Sequence, residues 1–519
     1  MRSKKAILNT VASLMLEVFA IFNGLIVPRL ILSTFGSSYN GIISSITQFL
    51  GYASLLTAGV GGVTRAALYK PLAENNKRVI SAIVKATEKF LRKVSFIFIG
   101  ALVIFASFYP FIKSVTQDEN QFSWFFTFTL VMIIGISTFF QYFFGLTYST
   151  VLSADQKQYI DSFIRIVTTV INTILAVILI KVGAGIHLIR LGSSLIYLLN
   201  PLAIHFYVKR KYGIIKDSEP DNSAIKQKWD AFGHQIAHFV HANTDLVILS
   251  FFSTLKEISV YTVYNFVNIG VRTAVTSTFK GIDSAFGNMI AKNEKELLIK
   301  NFSMFEFLMH SISIVLFVCM AILITPFVLV YTKGITDINY NRLIFGYLFA
   351  LTGFLYCVRI PCQTIAEAAG HFKQTRNGAL LEAILNISIS LVLIKPLGIN
   401  GIMIGTMVAM FFRTIQYTWY VYRNIINQSL LPVLYRYLAT VLNIVVIIGI
   451  VYFINLPTPK NYLTWTTNGV IVFLISFVVT FIFSLVFARK DLINFIEILK
   501  NLLRQYHNII PRIKNKNPR

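Results

Sequence analysis

The sequence predicts an all-α polytopic membrane protein with about fourteen transmembrane helices. The first reason is composition: 55% of the 519 residues are hydrophobic and only 13% are charged, whereas about 25% are charged in a typical soluble domain. The second is that apolar stretches of about twenty residues recur along the whole chain, each long enough to cross about 30 Å of hydrocarbon as a helix. Together these observations exclude a water-soluble fold.

The predicted spans follow these apolar stretches, and each ends where charged or turn-forming residues interrupt the pattern. They lie near residues 7–32, 39–63, 94–114, 122–151, 160–181, 186–208, 231–253, 258–287, 301–332, 341–366, 378–395, 399–423, 433–454 and 464–488. The basic start MRSKK imitates a signal peptide. Because Glu17 interrupts the apolar run and no small-residue cleavage site follows, we expect an uncleaved first span.

The distribution of basic residues predicts the orientation. A net charge of +25 would suit nucleic-acid binding, but most of the 47 Lys and Arg residues fall in segments on one side of the predicted spans. The few on the opposite side are Lys113, Lys181, Lys256, Lys333, Arg342, Lys395 and Lys460. This bias follows the positive-inside rule and places both termini in the cytoplasm. The excess charge then reflects topology and attraction to anionic headgroups, and we expect no nucleic-acid partner.

An internal repeat divides the chain into two halves. The segments NTILAVILIK (172–181) and NISISLVLIK (386–395) match at Asn, Leu, Ile and Lys, and each lies between a polar turn and a Gly-rich turn. Chance can produce such a match between apolar segments, so the shared neighbourhood is what favours duplication. The matched spans are the fifth and eleventh, and the even offset gives both halves one orientation. We therefore predict two six-helix bundles related by a parallel repeat, plus two C-terminal helices.

The predicted domain limits follow from this repeat. They are an N-terminal bundle over 1–208, a cytoplasmic linker over 209–230, a second bundle over 231–423, two additional helices within 424–488, and a cytoplasmic tail over 489–519. Apolar residues recur at helical spacing in the basic tail, so we expect it to lie along the inner membrane surface as an amphipathic helix.

Ionisable residues inside the spans are the candidates for a functional site, because charge is costly in hydrocarbon. Arg272, Arg359 and Arg413 lie within the eighth, tenth and twelfth spans. One interpretation is that they line a polar cavity, where their forked guanidinium groups would suit phosphate. The other is that they form structural pairs, for instance with Glu17 or Asp245.

A polar stripe on the seventh span has several interpretations. His234, His238, His241 and Asp245 follow at steps of four, three and four residues and so share one helix face. The stripe rises about 16 Å whereas zinc ligands lie about 2 Å from their ion, so we expect no metal site. A catalytic His241–Asp245 pair would lack an evident nucleophile, so we expect no catalytic residue. A cavity-lining face and a merely structural face remain open.

The first span offers a parallel to this stripe. Asn9, Ser13 and Glu17 also fall at steps of four, and the first and seventh spans are equivalent under the repeat. We expect two walls of one cavity, in which Glu17 or Asp245, with His238 and His241 nearby, could bind a proton or sodium ion for coupling. No other cofactor is expected.

Three stretches resemble the bacterial polysaccharide flippases called Wzx, within the multidrug/oligosaccharidyl-lipid/polysaccharide exporter superfamily. They are VPRLILSTFGSSYNGIISSITQFLGYASLLTAGVGGVTRAAL, ANTDLVILSFFSTLKEISVYTVYNF and AEAAGHFKQTRNGALLEAILNISISLVLIKPLGINGIMIGT. The likeness covers nearly the whole chain and depends on the ensemble, because each motif is loose. It implies a MATE-like fold and a bacterial inner-membrane location.

The resemblance implies a flippase for undecaprenyl-diphosphate-linked oligosaccharide repeat units, used in capsule, O-antigen or exopolysaccharide synthesis. Two bundles would alternate between inward-open and outward-open states around a cationic cavity, with polysaccharide polymerase machinery as a candidate partner. The residues that could serve are Arg272, Arg359 and Arg413 for the diphosphate and Tyr261, Tyr264 and Tyr356 for stacking on sugars.

Two alternatives stay open from the sequence. One is a drug or lipid-precursor exporter of the same superfamily. The other is a membrane polysaccharide polymerase or ligase, an enzyme that would typically need a sizeable outer loop, whereas the predicted outer loops are short. We expect a transporter rather than an enzyme.

A labelling experiment checks the predicted topology. In a background with Cys319, Cys357 and Cys362 replaced by serine, Asn339→Cys should react with a membrane-impermeant maleimide in intact cells. Ser218→Cys should react only after lysis, because the basic segments stay in the cytoplasm. The reverse labelling pattern would refute the orientation.

Overall fold

The computed structural model describes residues 2–57, 60–120, 122–215, 218–221, 244–279, 282–497 and 500. Within these ranges all regular secondary structure is helical. Because no water in the hydrocarbon core can satisfy backbone N–H and C=O groups, apolar segments must close their hydrogen bonds within the helix. The predicted all-α class is confirmed.

The chain forms two compact units. Unit 1 comprises Met1–Val263 and Thr332–Tyr340. Its helices are α1 (Arg2–Phe35), α2 (Ser37–Gly51), α3 (Val60–Ala73), α4 (Lys77–Phe108), α5 (Lys113–Thr116), α6 (Trp124–Phe140), α7 (Leu146–Ala154), α8 (Gln158–Lys181), α9 (Ile186–Tyr212) and α10 (244–252). A π-helical turn over Gln141–Gly145 joins α6 to α7.

Unit 2 comprises Tyr264–Tyr331 and Asn341–Arg519. Its helices are α11 (Leu255–Ser277), which begins in unit 1, α12 (Ile282–Ala291), α13 (Lys295–Tyr331), α14 (Leu343–Ala368), α15 (Phe372–Leu397), α16 (Ile399–Val421), α17 (Leu431–Ile454), α18 (Tyr462–Phe487) and α19 (489–497). The domain limits predicted from the sequence stay a prediction.

The membrane spans are counted within the described ranges. Eleven helices there are long and apolar enough to cross a membrane, and α2 with α3, bent by 43°, could make a twelfth. The seventh predicted span, 231–253, falls largely outside the described residues. The eighth, 258–287, is divided between α11 and α12, on either side of two residues that are not described.

The two halves of the sequence repeat use their shared asparagine in the same way. In unit 1, Asn172 on α8 is 3% exposed and donates a hydrogen bond to the Tyr197 hydroxyl on α9 at 3.2 Å. In unit 2, Asn386 on α15 is 1% exposed and donates to Thr406 Oγ1 on α16 at 2.9 Å. A duplicated unit would retain such a contact, because a buried amide needs a partner.

Two glycines let α16 pack closely against α15. Gly401 and Gly405 lie four residues apart on one face of α16, and a Cβ at either position would overlap α15 at Leu393 or Ser390. Small residues at this spacing let helix backbones approach each other where lipid provides no hydrophobic driving force. The close packing brings α15 side chains against the buried face of α16.

Substitution at these glycines tests the packing. Gly405→Ala should lower the thermal unfolding temperature of the detergent-purified protein, because overpacking costs about 1–3 kcal/mol. Gly449→Ala on α17 is the matched control: its added Cβ would meet nothing within 4 Å, so the gain in helix propensity should leave stability equal or raised. Equal unfolding temperatures for the two variants would contradict the close contact.

Candidate functional site

Four helices of unit 2 bring the three predicted arginines together with one acid. Arg272 lies on α11, Arg359 on α14, Glu382 on α15 and Arg413 on α16. These four residues are called the arginine cluster. Each residue lies on a helix that is apolar along most of its length. Packing of the apolar residues fixes each helix in unit 2 and thereby positions its charged side chain.

Glu382 joins two of the arginines. Its Oε1 atom lies 2.7 Å from Arg359 Nη1, and its Oε2 atom lies 3.4 Å from Arg413 Nε. All three side chains are at most 6% exposed. Removing charges from water costs several kcal/mol per ion unless they are paired and hydrogen-bonded, so this carboxylate makes burial of both arginines possible.

The guanidinium group of Arg413 also forms hydrogen bonds and a ring contact with neighbouring residues. Nη1 donates to the Thr375 carbonyl at 3.0 Å and to Gln416 Oε1, and Nη2 donates to the Tyr417 hydroxyl at 2.9 Å. The guanidinium also lies 4.0 Å from the centre of the Tyr417 ring. Gly378 leaves the space it occupies, because a Cβ there would overlap Arg413. These contacts give Arg413 a structural role.

Arg272 has a different environment. Its guanidinium lies 3.5 Å from the centre of the Tyr356 ring, and Arg359 lies 5.2 Å from the same ring. In the described part of the chain, Arg272 forms neither an ion pair nor a hydrogen bond, and its side chain is only partly buried. Stacking on an aromatic face orients a guanidinium while leaving its N–H edge available for a ligand.

The arginine cluster carries surplus positive charge. Three guanidinium groups against one carboxylate leave a net charge of +2 within the cluster. Arg359 Nε is also buried without a hydrogen-bond partner among the described residues. A buried donor without an acceptor is costly, and an anionic ligand with several oxygen atoms would satisfy it together with Arg272.

Two of the predicted coupling residues, Asp245 and Glu17, are described in unit 1. Asp245 on α10 accepts a hydrogen bond from the Tyr261 hydroxyl at 3.0 Å, so these two predicted site residues are brought together. Glu17 lies on α1 and is partly buried. Asn9, from the same predicted stripe, instead binds the start of α8 and the turn before it: its amide donates to the Gln156 carbonyl, and its oxygen accepts from the Tyr159 N–H.

Of the remaining predicted residues, one is a buried tyrosine of unit 2 and three are histidines that the structure does not describe. Tyr264 is fully buried in unit 2, where its ring packs on Phe345 and Phe349. His234, His238 and His241 lie outside the described residues. Among the residues that are described, no group of three His, Cys, Asp or Glu side chains is placed to hold a metal ion.

Two buried acids were not identified from the sequence. Glu382 was overlooked as a partner of the arginines, and Glu306 on α13 is 5% exposed beside Arg436 Nη1 at 2.6 Å. Both lie a few residues inside the start of a predicted span. A charged residue at such a position is readily taken to lie among the lipid headgroups rather than in the protein interior. An acid with apolar neighbours on both sides, as in LLEAIL and MFEFLM, is the signal that could have found them.

No family model and no curated protein matches the chain, but solved structures do. The chain is similar to the lipid II flippase MurJ in an inward closed conformation, with a TM-score of 0.69 at 14% identity, over 94% of this chain and 100% of that one. It is similar to an inward-facing MATE family multidrug transporter of the MOP superfamily, with a TM-score of 0.56 at 12% identity, over 79% and 98% of the two chains. For the MATE transporter DinF-BH the TM-score is 0.58 at 17% identity, over 82% and 95%.

These likenesses establish the fold. The chain has the polytopic helical fold shared by MurJ and the MATE transporters. The predicted MATE-like fold class is therefore confirmed. At such low identity the likeness carries the architecture and not the substrate, so the Wzx assignment stays a prediction.

A single isosteric change tests the role of Glu382. Glu382→Gln should lower the free energy of unfolding by about 3–5 kcal/mol, because two buried guanidinium groups would lose their only neutralising charge in the arginine cluster. Thermal or denaturant unfolding in detergent measures the effect. Glu367→Gln is the control, since Glu367 is exposed on α14 and should change stability by less than about 0.5 kcal/mol. Similar losses in the two variants would contradict a stabilising role for the buried ion pairs.

Proposed function

We propose that the protein is a flippase that translocates undecaprenyl-diphosphate-linked oligosaccharide repeat units across the bacterial plasma membrane. The polymer assembled from them would be a capsule, an O-antigen or an exopolysaccharide. Translocation proceeds by alternating access, with both termini in the cytoplasm and no enzymatic step. Three things support the proposal: the fold shared with a lipid II flippase, the resemblance of the sequence to Wzx proteins, and the chemistry of the arginine cluster.

The observation that carries the proposal is the surplus charge of the arginine cluster. A diphosphate offers several oxygen acceptors and at least two negative charges, which match the net charge of +2 and the donors of Arg272 and Arg359. Arg359 and Arg413 maintain the fold of the site through Glu382. Arg272 is the residue whose guanidinium edge remains for substrate, so we assign it the main diphosphate contact.

The other roles belong to the same proposal. Tyr356 orients Arg272 and is the aromatic residue nearest the diphosphate; Tyr261 and Tyr264 are buried against protein in this conformation and would contact sugars only after a rearrangement of unit 1 or unit 2. Asp245, held by Tyr261, and Glu17 are the candidates for coupling to a proton or sodium ion. Polysaccharide polymerase machinery is the proposed consumer of the flipped lipid.

A second candidate function is export of a drug or a lipid precursor. The structural likeness to MATE multidrug transporters favours it, because this fold is used for such cargo in those proteins. A net cationic cluster argues for an anionic cargo, since a cationic drug would be repelled by it. A membrane polymerase or ligase has no comparable structural support.

Arg272→Ala tests the assignment in a cell that lacks its own flippase for the polymer. Surface polymer should fall at least about tenfold, because one charge-assisted contact to phosphate contributes about 1.5–3 kcal/mol. Membrane abundance should be unchanged, and Arg272→Lys should restore activity only in part, since lysine cannot bind bidentately. Normal surface polymer in Arg272→Ala would overturn the assignment.

Arg376→Ala is the matched control for that experiment. Arg376 is an exposed arginine on α15, so the substitution removes the same charge without touching the arginine cluster. Polymer should remain at the wild-type level. An equal loss in both variants would show that overall charge, rather than a site contact, limits transport.

A further inference from the structure

A cleft in unit 1 combines cations with apolar residues. Its volume is about 460 Å³, and it is lined by Lys85 on α4, by Phe206, Lys209 and Arg210 on α9, and by Ile214 just beyond α9. Both α4 and α9 are candidate membrane spans. Lys209 and Arg210 lie in the last turn of α9, so the cleft lies at the level where a spanning helix leaves the hydrocarbon and meets lipid headgroups.

The cations in and beside this cleft outnumber the neighbouring acids. Glu88 is the acid beside Lys85, but it binds Arg92 at 2.6 Å and lies 4.0 Å from Lys85. Within the described residues, no carboxylate forms an ion pair with Lys209 or Arg210. Four cations, Lys85, Arg92, Lys209 and Arg210, lie near two carboxylates, those of Glu88 and of Asp221, whose N–H binds the Ala82 carbonyl on α4 at 3.2 Å. The local charge of +2 attracts an anion and disfavours another cation.

The cleft continues into an apolar stripe on the surface of α9. Leu188, Leu195, Leu199 and Phe206 are 54%, 51%, 46% and 67% exposed. Their steps of seven, four and seven residues place them on one helix face. From Leu188 to Phe206 the stripe rises about 27 Å along the helix axis. One leaflet contributes about 15 Å of hydrocarbon, so the stripe is long enough to contact an acyl chain along the whole depth of that leaflet. The cleft therefore opens toward lipid.

We propose that this cleft is a binding site for an anionic phospholipid. The headgroup phosphate binds Lys85, Lys209 and Arg210, and an acyl chain lies over Phe206 along the stripe of α9. Zwitterionic phospholipid is selected against because its choline or ethanolamine group brings a positive charge into a cationic cleft. The site goes beyond the proposed transport function, because it concerns a lipid that remains bound to the outside of unit 1.

The test measures lipid affinity of the full-length protein in detergent. Native mass spectrometry with added phosphatidylglycerol or phosphatidylcholine gives the retained lipid and its apparent affinity. The wild type should bind phosphatidylglycerol at least about tenfold more tightly, and Lys85→Ala/Lys209→Ala/Arg210→Ala should lose that preference. The control Lys292→Ala/Lys295→Ala/Lys300→Ala removes three exposed cations near α12 and α13 and should keep the preference.

Further arms separate this proposal from its rivals. Phe206→Ala should lower the affinity for both phosphatidylglycerol and phosphatidylcholine, because it removes a contact with the acyl chain. The preference for phosphatidylglycerol should remain, because no charge is removed. If the triple variant is not monodisperse, Lys209→Gln and Arg210→Gln serve instead, and each should lower phosphatidylglycerol affinity severalfold. Unchanged affinity in both, or an equal loss in the control triple variant, would overturn the site. Tighter binding of undecaprenyl phosphate that displaces phosphatidylglycerol would also overturn it, because the cleft would then belong to the transported lipid.

Discussion

Glu382 lies between two buried guanidinium groups and joins three helices of unit 2 through its ion pairs. Arg359 and Arg413 come from different helices, α14 and α16, so one acid on α15 sets the approach of three helices at once. The space for this arrangement comes from glycines: Gly378 makes room for the guanidinium of Arg413, and Gly405 lets α16 approach α15. In hydrocarbon an unpaired charge would be far more costly than in water, so packing and charge pairing must be satisfied together.

The same pairing decides which arginine remains for a ligand. Arg413 has its donors occupied by Glu382, Thr375, Gln416 and Tyr417, so it contributes to the fold and to the electrostatic potential. Arg272 instead lies on the face of Tyr356, which fixes its orientation without consuming its N–H groups. Arg359 and Arg413 form ion pairs with Glu382, whereas Arg272 does not. The arginine cluster can therefore attract an anion through Arg272 and remain stable when no anion is bound.

The duplicated plan could be inferred from a short repeat because its asparagines carry a structural role. Asn172 and Asn386 each bind the following helix within its own unit, and a buried amide that lost this contact would be costly. Apolar positions around them diverge freely, since many hydrophobic side chains of similar volume can face lipid or fill a core. Among the four matched residues of the repeat, the asparagine is therefore the one whose identity is explained by its buried contact.

Hydropathy, the distribution of lysine and arginine and the spacing of one repeat were enough to predict an all-helical membrane protein built from two like halves. These features follow from local chemistry, because each span must satisfy its own backbone in lipid. They were also enough to identify three arginines as costly, and therefore as candidates. They did not identify Glu382, and they could not separate Arg272 from Arg359 and Arg413. Which charges pair depends on residues brought together from helices far apart along the chain, and that is settled by tertiary packing.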